Sequence, residues 1–200
     1  MKDGVIKFDL RWQRGPPPGN IDALLEWRDR MRAAELIGVY PDGVGYGNIS
    51  IRAGAAFIIS GSGTGAQLTA RREHFTEVVD YDFNTNSVTC RGPVRASSES
   101  LTHAAVYEAD PSAAAVIHVH HPALWEALIG KIPTTAVDIE YGTREMAEEV
   151  MRLFRDTPIA EGRLFVLGGH RDGIVAFGES LREAGTRLLD TLHTGPGEDP

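Results

Sequence analysis

The 200-residue chain has little of what marks a secreted or membrane-inserted protein. Its single cysteine, Cys90, excludes an internal disulfide and fits a reducing compartment. No apolar run approaches the roughly 20 residues that a membrane-spanning helix needs. The N-terminus is charged and mixed in character, unlike a secretory signal peptide. We therefore expect a cytoplasmic protein.

Positive charge is also scarce. Lysine and arginine together number 20 against 28 acidic residues, which gives a formal net charge of −8. This balance disfavours nucleic acid and anionic membranes as partners, because both would be repelled. A small anionic substrate stays compatible with the charge, provided that a metal ion or backbone N–H groups supply local positive potential.

The hydrophobic pattern predicts a mixed α/β layered domain at residues 21–194 with a central, mainly antiparallel sheet. An extended arm at residues 1–20 precedes it, because the run Gly15-Pro16-Pro17-Pro18-Gly19 suits neither a helix nor a central strand. Residues 195–200 are predicted to be a flexible tail. Helices are expected at 21–37, from Ser97 to 110, from Pro122, at 143–154 and at 180–192, and strands at 48–52, 56–59, 78–81, 88–90, 114–120, 164–167 and 174–177.

Two histidines in one predicted strand are the most informative feature. In Ile117-His118-Val119-His120 the side chains alternate between faces, so His118 and His120 point the same way, about 7 Å apart at their roots. Another histidine, His170, follows a second apolar strand after two glycines that permit close backbone approach. Three neutral imidazoles on one metal ion would leave a coordination position open, which suits catalysis better than a structural site. The same spacing also occurs in strands whose histidines are structural.

The run Ser97-Ser98-Glu99 combines two hydroxyls and a carboxylate at a predicted helix start, where backbone N–H groups attract anions. Glu99 either serves the helix dipole alone or exchanges protons with a substrate. His103, one helical turn later, is a candidate for packing or for support of the site. His121 points away from its neighbours if the strand continues.

Two glycine-rich segments, residues 45–50 and 60–65, are either ordinary turns or backbone nests around a phosphate or carboxylate. Neither is a Walker loop, since the lysine is missing, and neither opens a helix as a dinucleotide-binding loop does. The chemistry-bearing pieces follow one another in a fixed order: Gly47-Asn48-Ile49-Ser50, Ile59-Ser60-Gly61-Ser62-Gly63, Ser97-Ser98-Glu99, His118-Val119-His120, Gly142-Thr143-Arg144-Glu145 and His170.

That order resembles the class II aldolase/adducin family, whose best-known enzymes are zinc-dependent sugar-phosphate aldolases. The resemblance covers residues 21–192 and implies a three-layer α/β/α fold and a homotetramer with sites at subunit interfaces. It also implies that zinc, or alternatively Co, Mn, Fe or Ni, is held by three ligands, with one acid/base and a pocket for the phosphate or other anionic end of a substrate. The implied ligands are His118, His120 and His170, the acid/base is Glu99, and the pocket residues are Asn48, Ser62, Gly63, Ser97 and Ser98.

The resemblance implies a metal-dependent lyase that acts on a small hydroxy-carbonyl or sugar-phosphate-type substrate through a zinc-stabilised enediolate. Two departures bear on this. Residues 132–141 are too short for the family segment whose tyrosine reaches a neighbouring site, and Arg171-Asp172 follows His170 where glycine is usual, which predicts new charges at the edge of the metal. An epimerase, dehydratase or decarboxylase on the same metal scaffold is one alternative. A non-catalytic domain like the adducin head is another, although it would be expected to lack the metal ligands.

Overall fold

An eight-stranded sheet separates two layers of helices in the computed structural model, which describes residues 4–194. The strand order is β1-β7-β6-β5-β4-β8-β10-β9, and every neighbouring pair is antiparallel except β1 and β7. Strands β2 and β3 form a separate two-stranded sheet. The strands are β1 (Asp9–Arg14), β2 (Gly38–Val39), β3 (Gly45–Tyr46), β4 (Asn48–Ala53), β5 (Ala56–Ser60), β6 (Phe75–Asp82), β7 (Ser87–Gly92), β8 (Ala115–His120), β9 (Leu164–Val166) and β10 (Gly173–Gly178).

The alternation of side chains along β8 shows why helices cover both faces. Ala115, Ile117 and Val119 join a core with α1, α3 and α6, whereas Val116 belongs to the core that contains α2 and α4. Both faces are buried and carry apolar side chains, as expected for a sheet between two helical layers. The predicted three-layer fold with a mainly antiparallel sheet is confirmed. The helices are α1 (Asp22–Ala33), α2 (Ser100–Ala109), α3 (Pro122–Leu128), α4 (Arg144–Asp156), α5 (Ile159–Gly162) and α6 (Leu181–Thr194).

The predicted arm contributes a strand to the sheet. Residues Asp9–Arg14 pair in parallel with β7, and the indole N–H of Trp12 donates to the carbonyl oxygen of Gly92 at 3.0 Å. Residues 1–3 and the predicted tail, residues 195–200, lie outside the described residues. None of the described helices is long and apolar enough to span a bilayer.

Two predicted helix boundaries are wrong by three or more residues. The first helix ends at Ala33 instead of residue 37, because Glu35 adopts a left-handed backbone with φ of 59° and the chain then enters β2. The second begins at Ser100 instead of Ser97. Ser97 lies in a turn, where its carbonyl oxygen accepts a hydrogen bond from the N–H of Ser100 at 3.1 Å. The N-cap residue of α2 is Glu99.

Candidate metal centre

Strand pairing brings the three histidines together. His118 and His120 lie on one face of β8, and the antiparallel partner strand β10 begins with Gly173 opposite His120. The turn before β10 therefore places His170 beside the pair. All three side chains are buried, with at most 5% of each residue exposed.

The donor atoms of the three imidazoles lie close enough together to converge on one metal ion. They all lie within 4.8 Å of one another, and the Nε2 atoms of His118 and His120 are 3.0 Å apart. Two nitrogens bound to one tetrahedral zinc at 2.0–2.1 Å would lie about 3.3 Å apart. The residues present fit a divalent ion that prefers imidazole.

Each ring has a partner at its other nitrogen. Nδ1 of His118 lies 3.2 Å from the carbonyl oxygen of Ile174, and Nδ1 of His120 lies 2.7 Å from the hydroxyl of Tyr40. Nδ1 of His170 lies 3.2 Å from Oε1 of Glu99. Such contacts orient the ligands of protein metal sites, and a proton on Nδ1 leaves the lone pair of Nε2 for the ion.

The surroundings favour the neutral form of His120. Burial, together with the neighbouring His118 and His170, lowers the pKa of His120 well below its ordinary value. Only the neutral imidazole has a lone pair to offer a cation. The ring is therefore in the protonation state that a ligand needs at neutral pH.

Glu99 is a buried carboxylate, 2% exposed, at the edge of the histidine cluster. Burial acts to raise its pKa, but the charges of His170 and His118 and the hydrogen bonds from His170 and Thr102 outweigh it and lower the pKa of Glu99 to about 2. The hydroxyl of Thr102 donates to Oε2 at 2.8 Å, while Oε1 lies 3.2 Å from Nδ1 of His170. A carboxylate beside the histidine cluster that also lines the cleft is placed for proton exchange with a bound reactant.

Close packing around the rings requires glycine at position 173. A Cβ there would lie 2.9 Å from the carbonyl oxygen of His170 and 3.1 Å from Cε1 of His118. Either contact would displace a ring or the turn that carries it. The small residue at the start of β10 thus lets two of the three imidazoles approach each other.

The three histidines line a partly open cleft at the surface of the protein. Asn48 enters it because β4 pairs it with His118, and its side-chain oxygen is buried without a hydrogen bond. Every residue predicted for the site lines this cleft: Asn48, Ser62, Gly63, Ser97, Ser98, Glu99, His118, His120 and His170.

The loop of residues 61–65 forms the opposite side of the cleft. The N–H groups of Ser62 and Thr64 already donate to the carbonyl oxygens of Arg95 and Gly61, at 3.0 and 3.3 Å. The guanidinium of Arg28, 3% exposed, donates to the carbonyl oxygen of Thr64 at 3.0 Å. The loop is thus held by the protein itself, and only part of its backbone donors is left for an anion.

Sequence reasoning missed several residues of the site. Gly4, Tyr46 and Thr64 line the cleft, and the ring centroid of Tyr46 lies 5.6 Å from that of His120. Tyr40, which contacts His120, stands in the loop between β2 and β3. Tyr46 and Thr64 belong to the glycine-rich segments 45–50 and 60–65, which was the available signal, whereas nothing local singles out Tyr40.

Three other residues have roles away from the metal ligands. His121 begins α3, where its ring accepts from the N–H of Leu124 at 3.1 Å. His103 is fully buried, with Nδ1 2.7 Å from the hydroxyl of Ser50. The side chain of Arg171 is 81% exposed and does not line the cleft, so the predicted charge at the metal's edge is wrong for this residue. The turn points it into solvent.

The matching sequence family agrees with these features. The profile of the Class II Aldolase and Adducin N-terminal domain matches residues 42–192, which is most of the chain. The chain belongs to the class II aldolase and adducin family. No significantly similar protein was found among curated sequences.

Solved structures show the same fold at low identity. L-Fuculose-1-phosphate aldolase from Thermus thermophilus is 23% identical, with a TM-score of 0.55 over 89% of this chain and 97% of that one. YgbL from Klebsiella pneumoniae, for which an aldolase, epimerase or decarboxylase activity is suggested, is 19% identical, with a TM-score of 0.62 over 88% and 90%. The N-terminal class II aldolase domain of a Thermoplasma acidophilum protein is 20% identical, with a TM-score of 0.60 over 92% and 95%.

Proposed function

We propose that this chain is a divalent-metal-dependent lyase that breaks a C–C bond in a small hydroxy-carbonyl or sugar-phosphate-type substrate. The observation that carries the proposal is the convergence of three buried imidazoles and one buried carboxylate on the floor of a single cleft. Membership of the family and the likeness to L-fuculose-1-phosphate aldolase support an aldolase-type reaction.

His118, His120 and His170 would hold the metal, with zinc as the first candidate and Co, Mn, Fe and Ni as alternatives. When bound, the ion would supply positive charge that stabilises an enediolate, the anion left on a hydroxy-carbonyl substrate when the bond between its α- and β-carbons breaks. Contacts with the hydroxyl of Tyr40 and the carbonyl oxygen of Ile174 would hold the rings of His120 and His118 in the orientation that metal binding requires.

Glu99 is proposed as the acid/base. Its Oε1 lies at the histidine cluster, and Thr102 holds Oε2, so the carboxylate can take or return a proton without moving its second oxygen. Because Glu99 is only 2% exposed, little water can compete with the substrate for the proton.

The remaining lining residues are proposed to bind the substrate. Asn48 offers a buried amide, Ser97 and Ser98 are on the segment just before α2, and Ser62 and Gly63 are on the facing loop. Together they would hold a phosphate or carboxylate by hydroxyl, amide and N–H donors. No lysine or arginine side chain lines the cleft in the described part of the chain, so neutral donors and the metal would supply the positive potential.

Epimerisation, dehydration or decarboxylation is the second candidate. The link between α3 and α4, residues 129–143, is short, and the tyrosine-bearing family segment is not present in it. The likeness to YgbL also favours this candidate. A non-catalytic adducin-like role is disfavoured, because the ligand set is complete.

Two further parts of the proposal concern the state of the protein in a cell. We propose a homotetramer, supported by the exposed apolar side chains of Leu68 and Val137, at 77% and 72%, which a subunit contact would cover. Light scattering during gel filtration tests it, and a monomeric mass would contradict it.

A cytoplasmic location, supported by the single cysteine, stays a prediction.

A panel of small sugar phosphates and hydroxy acids tests the reaction type. Zinc-loaded protein should convert one class of compound, and aldehyde release, carbon dioxide release and loss of water are measured separately. Aldehyde release that a chelator abolishes and zinc restores supports the lyase. Carbon dioxide or water as the main product supports the second candidate instead, and equal turnover after chelation contradicts a role for metal in either.

A further inference from the structure

The segment that precedes β1 reaches the metal centre through Tyr141. The N–H of Val5 donates to the hydroxyl of Tyr141 at 3.2 Å. The ammonium of Lys7 lies 3.6 Å from the centroid of the Tyr141 ring, and also 3.0 Å from Oε2 of Glu140. Gly4 lines the cleft itself.

Tyr141 in turn packs against a metal ligand. Its ring is stacked on the imidazole of His170, with centroids 4.4 Å apart and planes inclined by 25°, and Tyr141 is only 1% exposed. Because the imidazole occupies one face of the phenol ring, the ammonium of Lys7 occupies the other. The order Lys7, Tyr141, His170 therefore forms one continuous stack that ends at the ligand.

The turn that carries Tyr141 is fixed on its other side by backbone packing. Gly142 has φ of 67°, and a Cβ there would lie 2.5 Å from the carbonyl oxygen of Ser98. The turn thus lies between Lys7 and the segment that presents Glu99.

We propose that Lys7 is a positioning residue for the metal ligand His170 and acts through the ring of Tyr141. The inference rests on the proposed metal site. The side chain of Lys7 is only 18% exposed, so its attraction to the ring is little weakened by solvent. Glu140 gives it a second contact on the same turn, so one side chain fixes two consecutive residues.

Cobalt binding distinguishes a change at the metal ligands from a general loss of protein stability. The visible spectrum of Co²⁺ reports the number and arrangement of its ligands, and titration gives its dissociation constant. Lys7→Met removes the charge and keeps an aliphatic side chain, Lys7→Arg keeps a cation for the ring, and Lys131→Met removes an exposed lysine after α3 as the control. We expect Lys7→Met to bind Co²⁺ about 10-fold more weakly with an altered spectrum, Lys7→Arg to recover most of the affinity, and Lys131→Met to match the parent.

A second variant separates the ion pair of Lys7 with Glu140 from its contact with the Tyr141 ring. Glu140→Gln removes the ion pair but leaves the ammonium over the ring, so its cobalt affinity should stay within about 2-fold of the parent protein. An effect as large as that of Lys7→Met would overturn the route through Tyr141. So would an unchanged affinity and spectrum in Lys7→Met. A parent protein that binds no Co²⁺ would contradict the proposed metal site itself. Equal affinity in the parent protein and Lys7→Met would contradict only the role of Lys7.

Discussion

Nδ1 of His170 lies 3.2 Å from Oε1 of Glu99, so the third candidate ligand and the candidate acid/base share one contact. A carboxylate in this position holds the imidazole in the orientation that directs its other nitrogen at the cation. Glu99 also lines the cleft. Because it contacts a candidate metal ligand and borders the cleft, Glu99 is the most informative residue to change.

Glu99→Gln should retain the metal and lose turnover. The amide oxygen can still accept from the imidazole of His170, whereas it cannot accept a proton at neutral pH. We expect a fall in kcat of about 100- to 10,000-fold, the range typical of general acid/base groups. Metal analysis and steady-state kinetics on the same preparation provide the measurement, with Glu126→Gln on the exposed side of α3 as the matched control. Full activity in Glu99→Gln would exclude the proton-transfer role.

Tyr40→Phe should weaken metal binding without removing the ring. The hydroxyl lies 2.7 Å from Nδ1 of His120, and its loss leaves that nitrogen without this partner. Outer partners of metal ligands contribute about 10- to 100-fold in affinity. Competition with a chelator measures the change. Tyr46→Phe is the control, because its hydroxyl donates to the carbonyl oxygen of Glu35 and not to a ligand; an equal effect in both variants would count against the account.

How far the sequence predicts this site depends on whether the pattern is local. The two-residue period of β8 placed His118 and His120 on one face, and the fold class followed from the order of apolar runs. The contacts of Tyr40 with His120 and of Tyr141 with His170 depend on how distant loops return to the sheet. No local pattern encodes them.

The limits of local reasoning also explain the misplaced boundaries. Residues 34–37 continue a helical apolar pattern, yet the left-handed backbone at Glu35 redirects the chain into β2. Serine is a common helix-capping residue, but the carbonyl oxygen of Ser97 here closes a turn that precedes α2. In both cases tertiary packing overrides propensity beside the cleft.

Gly173→Ala should damage the site more than the fold. The new methyl group would press on the carbonyl oxygen of His170 and on the ring of His118, and these can yield only by moving the ligands. We expect at least about 10-fold weaker metal binding with a destabilisation of about 1–3 kcal/mol, as for other overpacked sites. Calorimetric titration and urea unfolding measure the two effects. Gly19→Ala, where no atom lies within 4 Å, should change neither, and unchanged metal affinity in Gly173→Ala would contradict the packing argument.

Metal-free protein should lose stability in mild acid because His103 is buried in its neutral form. Burial, followed by the charge of His118, lowers the pKa of His103 to about 3 from 6.5, with Glu99 opposing. The unfolded chain therefore binds the proton first, so the contribution of His103 to stability is complete above pH 6.5 and is lost as the pH falls towards 3.

Urea unfolding at pH 7 and pH 5 measures this loss. The parent protein should lose about 2 kcal/mol more than His103→Gln between these values, since the variant has no proton to bind at that position. Other buried histidines contribute equally to both proteins and cancel in the comparison. The same loss in parent and variant would show that His103 is not kept neutral by its surroundings.

The metal content of purified protein tests the central proposal most directly. After zinc loading and gel filtration, elemental analysis should find about one zinc per chain in the parent protein and none when His118, His120 and His170 are replaced together by asparagine, with circular dichroism confirming that the variant is folded. A parent protein that holds no metal after loading, or a folded variant that still holds a full equivalent, would contradict the account.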